Sequence, residues 1–248
     1  MSRLLAAARL LRAVLHGIHG VALVVVLFGA LKPAQRHTRV AWWSAKMLRV
    51  LGLDLRVQGQ FRAGAKLVVA NHVSWLDIMA IHAVCPEARF VSKADVQGWP
   101  LVNRLVAAAG TLYLRRESRR DALRVVHQMA DALRCGDTVA VFPEGTTGAG
   151  PEPLPFHANL LQAAIATATP VQPVVLRFAD AHHAHSPAAQ FVGDTTLAQS
   201  LWRLARGQGL VVHLQVLPSM ASAHADRRAL ATHLRDTIAQ ALRVESSA

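Results

Sequence analysis

The sequence is poor in cysteine, in aromatic residues and in charge, and each shortage narrows the class of protein. Two cysteines, Cys85 and Cys135, cannot form the disulfide framework of a small secreted domain, and they fit a reducing compartment. Aromatic residues make up 5% of the chain, so its apolar content is mostly alanine, valine and leucine. Charged residues make up 17%, which with a mean hydropathy of +0.27 excludes an intrinsically disordered chain. A globular protein of 248 residues is left, long enough to bury one sizeable core.

The charge that is present is mostly positive and unevenly placed. Lysine and arginine number 27 against 15 acidic residues, which gives a net charge of +12. Residues 1–60 contain nine basic residues and one aspartate, and so hold +8 of that total. A nucleic-acid-binding domain more often spreads basic and aromatic residues over a folded face, whereas here the basic residues flank apolar segments. The pattern predicts membrane lipids, and not nucleic acid, as the partner.

Two apolar segments near the N-terminus carry this membrane prediction. Residues 13–31 lack formal charge, and as a helix they would cover about 28 Å, close to the thickness of a bilayer core. They predict a helix that spans the bilayer or re-enters it; a buried core helix and a signal peptide are the alternatives. Residues 40–53 combine Trp42 and Trp43 with basic residues, which suits a membrane interface or a core-packing helix. We predict a membrane-associated helical region over residues 1–58.

The flanking charges also predict a location. Three arginines precede the uncharged segment and five basic residues lie closely after it. More positive charge on the C-terminal side favours a cytoplasmic position for the remainder of the chain. The expected location is therefore the inner, cytoplasmic membrane, with the catalytic domain facing the cytoplasm.

From residue 66 onward, short apolar runs alternate with helical patterns. The runs contain consecutive valines and leucines, as in strands that are buried on both faces of a parallel sheet. This alternation predicts an α/β domain over residues 59–248, with a central, largely parallel sheet flanked by helices. The predicted strands are 66–70, 88–91, 111–114, 138–142, 171–178 and 210–217, and the predicted helices are 75–84, 99–109, 119–135, 157–168, 196–206 and 223–243.

The first segment with recognisable chemistry, Asn71 to Asp77, comes directly after the strand 66–70. It places His72 at the carboxyl end of a strand, where α/β folds build their sites. His72 and Asp77 are five residues apart and share no helix face, so they can meet only if His72 precedes the helix that Asp77 begins. Ser74 is a candidate cap for that helix. With 13 histidines in the chain, about half of comparable sequences would contain a His-x4-Asp pair by chance. The pair alone is therefore weak evidence for a site.

The second segment, Phe142 to Gly148, comes directly after the strand 138–142. Its glycines allow backbone N–H groups to converge on an anion, and Thr146 and Thr147 add hydroxyl donors. A purely structural turn is the alternative. The segment is not a nucleotide-binding P-loop, and no G-x-S-x-G nucleophile elbow occurs anywhere in the chain. No set of residues in the sequence has metal-ligand spacing supported by carboxylates or cysteines, so no metal is expected.

Together the two segments resemble the first and third conserved blocks of the glycerolipid acyltransferases, the 1-acylglycerol-3-phosphate acyltransferase family. Two further segments resemble the second and fourth blocks, and another resembles the stretch between the first two: Gly110 to Arg116, Val171 to Val174 and Phe90 to Val96. The resemblance covers residues 60–180. Four blocks in the right order at fitting intervals are far more specific than any one of them.

The resemblance implies an O-acyltransferase with its site in the α/β domain. His72 would be the general base that deprotonates a lysolipid hydroxyl, and Asp77 would orient His72. The acyl donor would be the thioester of acyl-CoA or of an acyl carrier protein, with no cofactor and no covalent acyl-enzyme. The acceptor headgroup would be bound by Arg116, Glu144, Gly145 and Thr146. For Arg116, a surface ion pair with a neighbouring carboxylate is the alternative.

The implied acceptor is 1-acylglycerol-3-phosphate, which would give phosphatidic acid. Two departures from the family pattern bear on it, because Thr147 stands where the family commonly has arginine and His157 where it commonly has lysine. Two cations expected near an anionic headgroup are therefore missing, and a less anionic acceptor such as a lyso-ornithine lipid is the alternative. A non-catalytic lipid- or membrane-binding protein on the same fold is the alternative of another class.

Overall fold

The computed structural model describes residues 3–93, 98, 102–114 and 119–246. A seven-stranded sheet forms the centre, in the spatial order β1-β7-β6-β2-β5-β3-β4. Neighbouring strands are parallel except for the antiparallel pair β6 and β7. The strands are β1 (Leu53–Gln58), β2 (Lys66–Ala70), β3 (Arg89–Lys93), β4 (Leu112–Leu114), β5 (Thr138–Val141), β6 (Val171–Ala179) and β7 (Leu210–Val216).

Helices cover both faces of the sheet, which confirms the predicted α/β class. On one face α1, α2, α3 and α7 enclose an apolar core with Leu48, Ile81 and Phe178. On the other face α5, α6 and α8 enclose a second core with Met129, Leu161 and Leu234. The helices are α1 (Arg3–Leu27), α2 (Pro33–Leu51), α3 (Leu76–Val84), α4 (Val102–Ala108), α5 (Arg119–Arg134), a 3-10 turn (Ala158–Leu161) leading into α6 (Gln162–Ala166), α7 (Leu197–Arg206) and α8 (Arg227–Ser246).

The six predicted strands are β2 to β7, with ends that differ by at most two residues. The strand β1 was not predicted. Only Leu53 of its six residues is buried, and polar residues such as Asp54 and Arg56 make up half of it, so it lacks the apolar run of the others. It is an edge strand that pairs with β7. The division at residue 58 stays a prediction; β1, on its N-terminal side, already belongs to the sheet.

The first two helices form an antiparallel hairpin that packs on the domain. The Trp43 indole donates to the His16 carbonyl at 3.0 Å, and the His16 ring contacts the Trp43 carbonyl at 3.0 Å. Gly20 permits this approach, because a Cβ there would lie 2.3 Å from the Trp43 ring nitrogen. Arg9 donates to the carbonyls of Ala205 and Gly207 at the end of α7, where a cation is favoured by the helix dipole.

The opposite side of α1 is apolar and exposed. The helix buries Ala6, Ala13, His16 and Gly20, which share one face. Of the 15 exposed large hydrophobic residues in the described chain, nine lie on α1. We call this set the α1 apolar face; its members are Leu4, Leu5, Leu11, Val14, Leu15, Ile18, Val25, Val26 and Leu27. Among the described residues, α1 is the one helix long and apolar enough to cross a membrane.

Candidate active site

The two chemical segments of the sequence meet at the carboxyl edge of the sheet. The strands β2 and β5 are parallel neighbours, with Val69 paired to Val141. Asn71 and His72 come after β2, and Phe142 to Glu144 come after β5. Carboxyl ends of adjacent parallel strands lie at the same edge, so the sheet itself brings the segments together.

His72 and Asp77 form a hydrogen-bonded pair. His72 lies in the loop before α3 and Asp77 is the second residue of that helix, which is the arrangement their spacing requires. The His72 Nδ1 lies 2.7 Å from Asp77 Oδ2. An ionised carboxylate only accepts hydrogen bonds, so Nδ1 carries the proton and Nε2 keeps a free lone pair. The arrangement makes His72 able to accept a proton at Nε2.

Asp77 is held as tightly as the histidine it orients. Its side chain is fully buried, and Oδ2 also accepts from the backbone N–H groups of Val73 and Ser74 at 2.7 and 2.9 Å. The Asp77 carboxylate therefore accepts hydrogen bonds from the backbone before α3, as an N-cap side chain does at the start of a helix. The expectation that Ser74 caps α3 is wrong, because the N-cap is Trp75 and the Ser74 hydroxyl is buried without a partner among the described residues.

The β5 segment immobilises His72 from two further sides. The Phe142 ring stacks on the imidazole, with centroids 4.1 Å apart and planes within 10°. Glu144 Oε1 accepts from the His72 backbone N–H at 2.6 Å, and the Gly148 N–H donates to the His72 carbonyl at 2.7 Å. The imidazole nevertheless keeps 19% of its side-chain surface exposed, which leaves room for a reacting group.

Glu144 is buried and links two loops by hydrogen bonds. Its Oε1 binds the His72 loop, and its Oε2 accepts from the Leu154 N–H at 2.9 Å. Burial raises the pKa of Glu144 to about 6, although both backbone N–H bonds oppose this rise. Gly148 packs against the carboxylate, since a Cβ there would lie 3.2 Å from Oε2. Both carboxylate oxygens of Glu144 already accept hydrogen bonds from the protein backbone. A role for Glu144 in binding the acceptor headgroup stays a prediction.

The remaining predicted residues are placed less decisively. Gly145 adopts φ +72° and so makes the turn that glycine favours, and Thr146 is exposed beside it. Thr147 is turned away from anion binding, because its hydroxyl donates to the Phe191 carbonyl. His157 is exposed, and its N–H donates to the Pro143 carbonyl at 2.9 Å. Arg116 lies outside the described residues.

Asn71 belongs to the site and was missed by the sequence analysis. Its amide donates to the Leu176 carbonyl and accepts from the Leu176 N–H, both at 2.8 Å. Leu176 lies in β6, so Asn71 extends the β2–β6 pairing by one rung after the strand itself has ended. A polar residue directly after the apolar run 67–70 was the signal that could have identified it.

Comparison with known proteins agrees with this chemistry. An α/β fold with a hydrogen-bonded histidine–aspartate pair at the carboxyl edge of its sheet has the arrangement of an enzyme site. The profile of the family described as Acyltransferase matches residues 54–177. The chain belongs to this acyltransferase family, and the predicted resemblance is confirmed.

Relatives with assigned names come from several bacteria. The chain is 38% identical over 247 residues to the lyso-ornithine lipid O-acyltransferase of Pseudomonas aeruginosa, covering 96% of this chain and 93% of the relative. It is 33% identical over 189 residues to the 1-acyl-sn-glycerol-3-phosphate acyltransferase of Neisseria meningitidis, covering 76% and 73%.

A solved structure shows the same fold. The 1-acyl-sn-glycerophosphate acyltransferase PlsC of Thermotoga maritima superposes with a TM-score of 0.68 at 19% identity, covering 96% of this chain and 97% of that one. At this identity the likeness speaks for the architecture. Fold, family and enzyme class therefore agree with what the sequence predicts.

Proposed function

We propose that this protein acylates the free hydroxyl of a lysolipid, with His72 as general base and Asp77 as its positioning partner. The observation that supports this most directly is the 2.7 Å contact between Nδ1 and the buried Asp77, which leaves the lone pair of Nε2 free on a partly exposed imidazole. The acceptor hydroxyl gives its proton to Nε2 while its oxygen attacks the carbonyl carbon of an acyl thioester. A C–O bond forms, the C–S bond breaks, and the proton passes from His72 to the departing thiolate. Acyl-CoA and an acyl carrier protein both supply such a thioester, and no cofactor enters these steps.

Substitution of the base tests this mechanism. His72→Ala should lower acyl transfer by at least about 100-fold, the lower end of what a positioned general base contributes. His127→Ala is the matched control, because His127 is exposed on α5. Product would be measured with a radiolabelled acyl donor and purified full-length protein. Near-native turnover in His72→Ala would refute the mechanism, and lipid binding without turnover by the native protein would favour the non-catalytic alternative.

We propose that the acceptor headgroup is zwitterionic, as in a lyso-ornithine lipid, and that 1-acylglycerol-3-phosphate is the weaker acceptor. The support comes from two residues. The Thr147 hydroxyl donates to the Phe191 carbonyl, and His157, whose backbone N–H donates to the Pro143 carbonyl, is not a permanently charged residue type. The Pseudomonas aeruginosa relative, 38% identical and covered over 93% of its length, is named for this acceptor. Neither position supplies the permanent cation that a phosphate monoester would attract.

A two-acceptor assay separates these headgroups. With one acyl donor, lyso-ornithine lipid should give the higher kcat/KM. His157→Lys adds a cation at an exposed position and should raise kcat/KM for 1-acylglycerol-3-phosphate, relative to lyso-ornithine lipid, by about 3- to 10-fold. Strong preference of the native enzyme for 1-acylglycerol-3-phosphate would overturn the acceptor proposal while leaving acyl transfer intact. The same assay with acyl-CoA and with acylated carrier protein identifies the donor.

We further propose that the enzyme attaches to the cytoplasmic side of the inner membrane through the α1 apolar face. An exposed apolar stripe of this length, opposite the buried face of the same helix, fits a helix lying in the lipid interface. The basic residues of α2 next to it suit anionic headgroups. Leu15→Asp should weaken binding to lipid vesicles at least about tenfold, whereas Leu123→Asp, at an exposed position of α5, should not. Equal vesicle binding by both variants would contradict the proposal.

A further inference from the structure

A cavity lies at the amino ends of β2, β3 and β5. It has a volume of about 840 Å³. Its walls come from the first half of α2, the loop after β1 and the first residues of β2, β3 and β5; the residues used below are Arg36, Arg62, Lys66, Glu87, Arg89 and Asp137. We call it the amino-edge cavity.

The amino-edge cavity is separate from the candidate active site. Lys66, which lines it, is the first residue of β2, and His72 lies two positions beyond the last residue of the same strand. At about 3.3 Å per residue, six residues of extended chain place them about 20 Å apart. The two sites occupy opposite edges of one sheet, so acyl transfer at His72 does not account for this cavity.

The lining is basic. Four lysine or arginine residues face two carboxylates in the described lining. Two of the cations are neutralised locally, because Lys66 lies 3.3 Å from Glu87 and Arg89 is paired with Asp137. Arg36 and Arg62 have no carboxylate partner in the part of the chain that the structure describes. The excess charge of the cavity therefore comes from two guanidinium groups.

Arg62 supplies an independent sign that a ligand belongs here. Its Nη1 is shielded from solvent and has no acceptor among the described residues. Its backbone is fixed at the same time, since the Arg62 N–H donates to Gln172 Oε1 at 3.0 Å. A buried guanidinium N–H without an acceptor is unfavourable, and because Arg62 as a whole is only partly buried, a turn of its side chain toward an anion in the cavity would supply the acceptor.

The chemistry of the cavity selects a phosphate group. The planar guanidinium of an arginine can donate two parallel hydrogen bonds to two oxygens of one phosphate. Two arginines without a carboxylate partner favour an anion that carries more than one negative charge. Apolar Phe61 and Val40 line the same cavity, and Pro33 lies just after the tip of the α1–α2 hairpin. A phosphate that carries a lipid tail and a free phosphate are both sources of this group.

We propose that the amino-edge cavity binds a phosphate group through Arg36 and Arg62, at a site distinct from the acyl-transfer site. Binding here would fasten the start of α2 to the sheet. The proposal is independent of the acceptor and donor of the reaction.

Titration calorimetry on the full chain in detergent tests it with two probes, inorganic phosphate and a water-soluble short-chain phosphatidic acid. Arg62→Gln and Arg36→Gln should each weaken binding of at least one probe about tenfold or more, while Arg56→Gln should not. Arg56 is a fair control because it is exposed on β1 and outside the cavity. Thermal melts and retained acyl transfer show that the variants fold.

The outcomes separate the two sources. Comparable dissociation constants for both probes support free phosphate, whereas tighter binding of the lipid by about tenfold or more supports a lipid headgroup. Binding that is unchanged in Arg62→Gln and Arg36→Gln but lost in Arg116→Gln would place the phosphate at the acyl-transfer site and overturn the proposal. Absence of binding by either probe would overturn it as well.

Discussion

Replacing Asp77 by asparagine removes one negative charge and turns one carboxylate oxygen into an amide NH2 group. Asparagine has nearly the same shape, and its carbonyl oxygen can still accept from the N–H groups of Val73 and Ser74, which hold the loop at 2.7 and 2.9 Å. What is lost is the negative charge 2.7 Å from the His72 Nδ1. In the proposed mechanism that charge matters most when His72 has taken the acceptor proton and become an imidazolium.

The expected size of the effect depends on the distance between the charges. The positive charge of an imidazolium is spread over its ring, so an effective separation of about 4 Å is reasonable, and at an effective dielectric constant near 20 the attraction is about 4 kcal/mol. Loss of this attraction in the transition state corresponds to about a 1,000-fold fall in rate. Stability should change far less, because neutral hydrogen bonds replace charged ones and the desolvation of a buried carboxylate is relieved.

The assay measures both quantities on the same preparations. Acyl transfer from a radiolabelled donor gives kcat/KM, and thermal unfolding gives Tm for native protein, Asp77→Asn and the exposed control Asp236→Asn. We expect a Tm within a few degrees of native and a kcat/KM about three orders of magnitude lower in Asp77→Asn only. Activity within about tenfold of native, in a variant that folds normally, would show that Asp77 does not act through the charge on His72.

Three further predictions concern stability and packing. Burial raises the pKa of Glu144 from 4.5 to about 6, so stability should fall by about 2 kcal/mol as pH rises through this window, and Glu144→Gln should flatten that slope in denaturant titrations across the window. Asn71→Leu strands the N–H and carbonyl of Leu176, so unfolding should become easier by about 2–4 kcal/mol in urea titrations, and an unchanged midpoint would contradict the assigned bonds. Gly20→Ala should push Trp43 away and make α1 more sensitive to protease, whereas Gly17→Ala, which meets nothing within 4 Å, should not; equal cleavage would refute the packing.

The elements that sequence analysis identified share one property. The strands β2, β5 and β6 are almost wholly buried, and each contains a run of consecutive apolar residues that is easy to recognise: 67–70, 139–141 and 173–176. The edge strand β1 escaped because exposure permits polar residues such as Asp54 and Arg56, and its pairing with β7 depends on a partner about 150 residues away.

In the site, too, contacts between residues close in sequence could be predicted, and contacts between distant residues could not. The spacing of His72 and Asp77, with a loop before a helix, is local and could be worked out from the sequence. The roles of Ser74, Asn71 and Glu144 depend on which backbone groups the folded chain brings within reach, and no spacing encodes Leu176 or Leu154 as partners. Residue types indicate possible chemistry, whereas hydrogen-bond partners require the fold.

The bond pair between Asn71 and Leu176 has a consequence for how His72 is held in place. Asn71 reproduces with its side chain the donor and acceptor that another strand residue would offer with its backbone. The chain can therefore leave the sheet one residue early and still be anchored to β6, directly before His72. Loops that contact neither this anchor nor the residues holding His72, which are Phe142, Glu144 and Gly148, can therefore change length without moving the histidine.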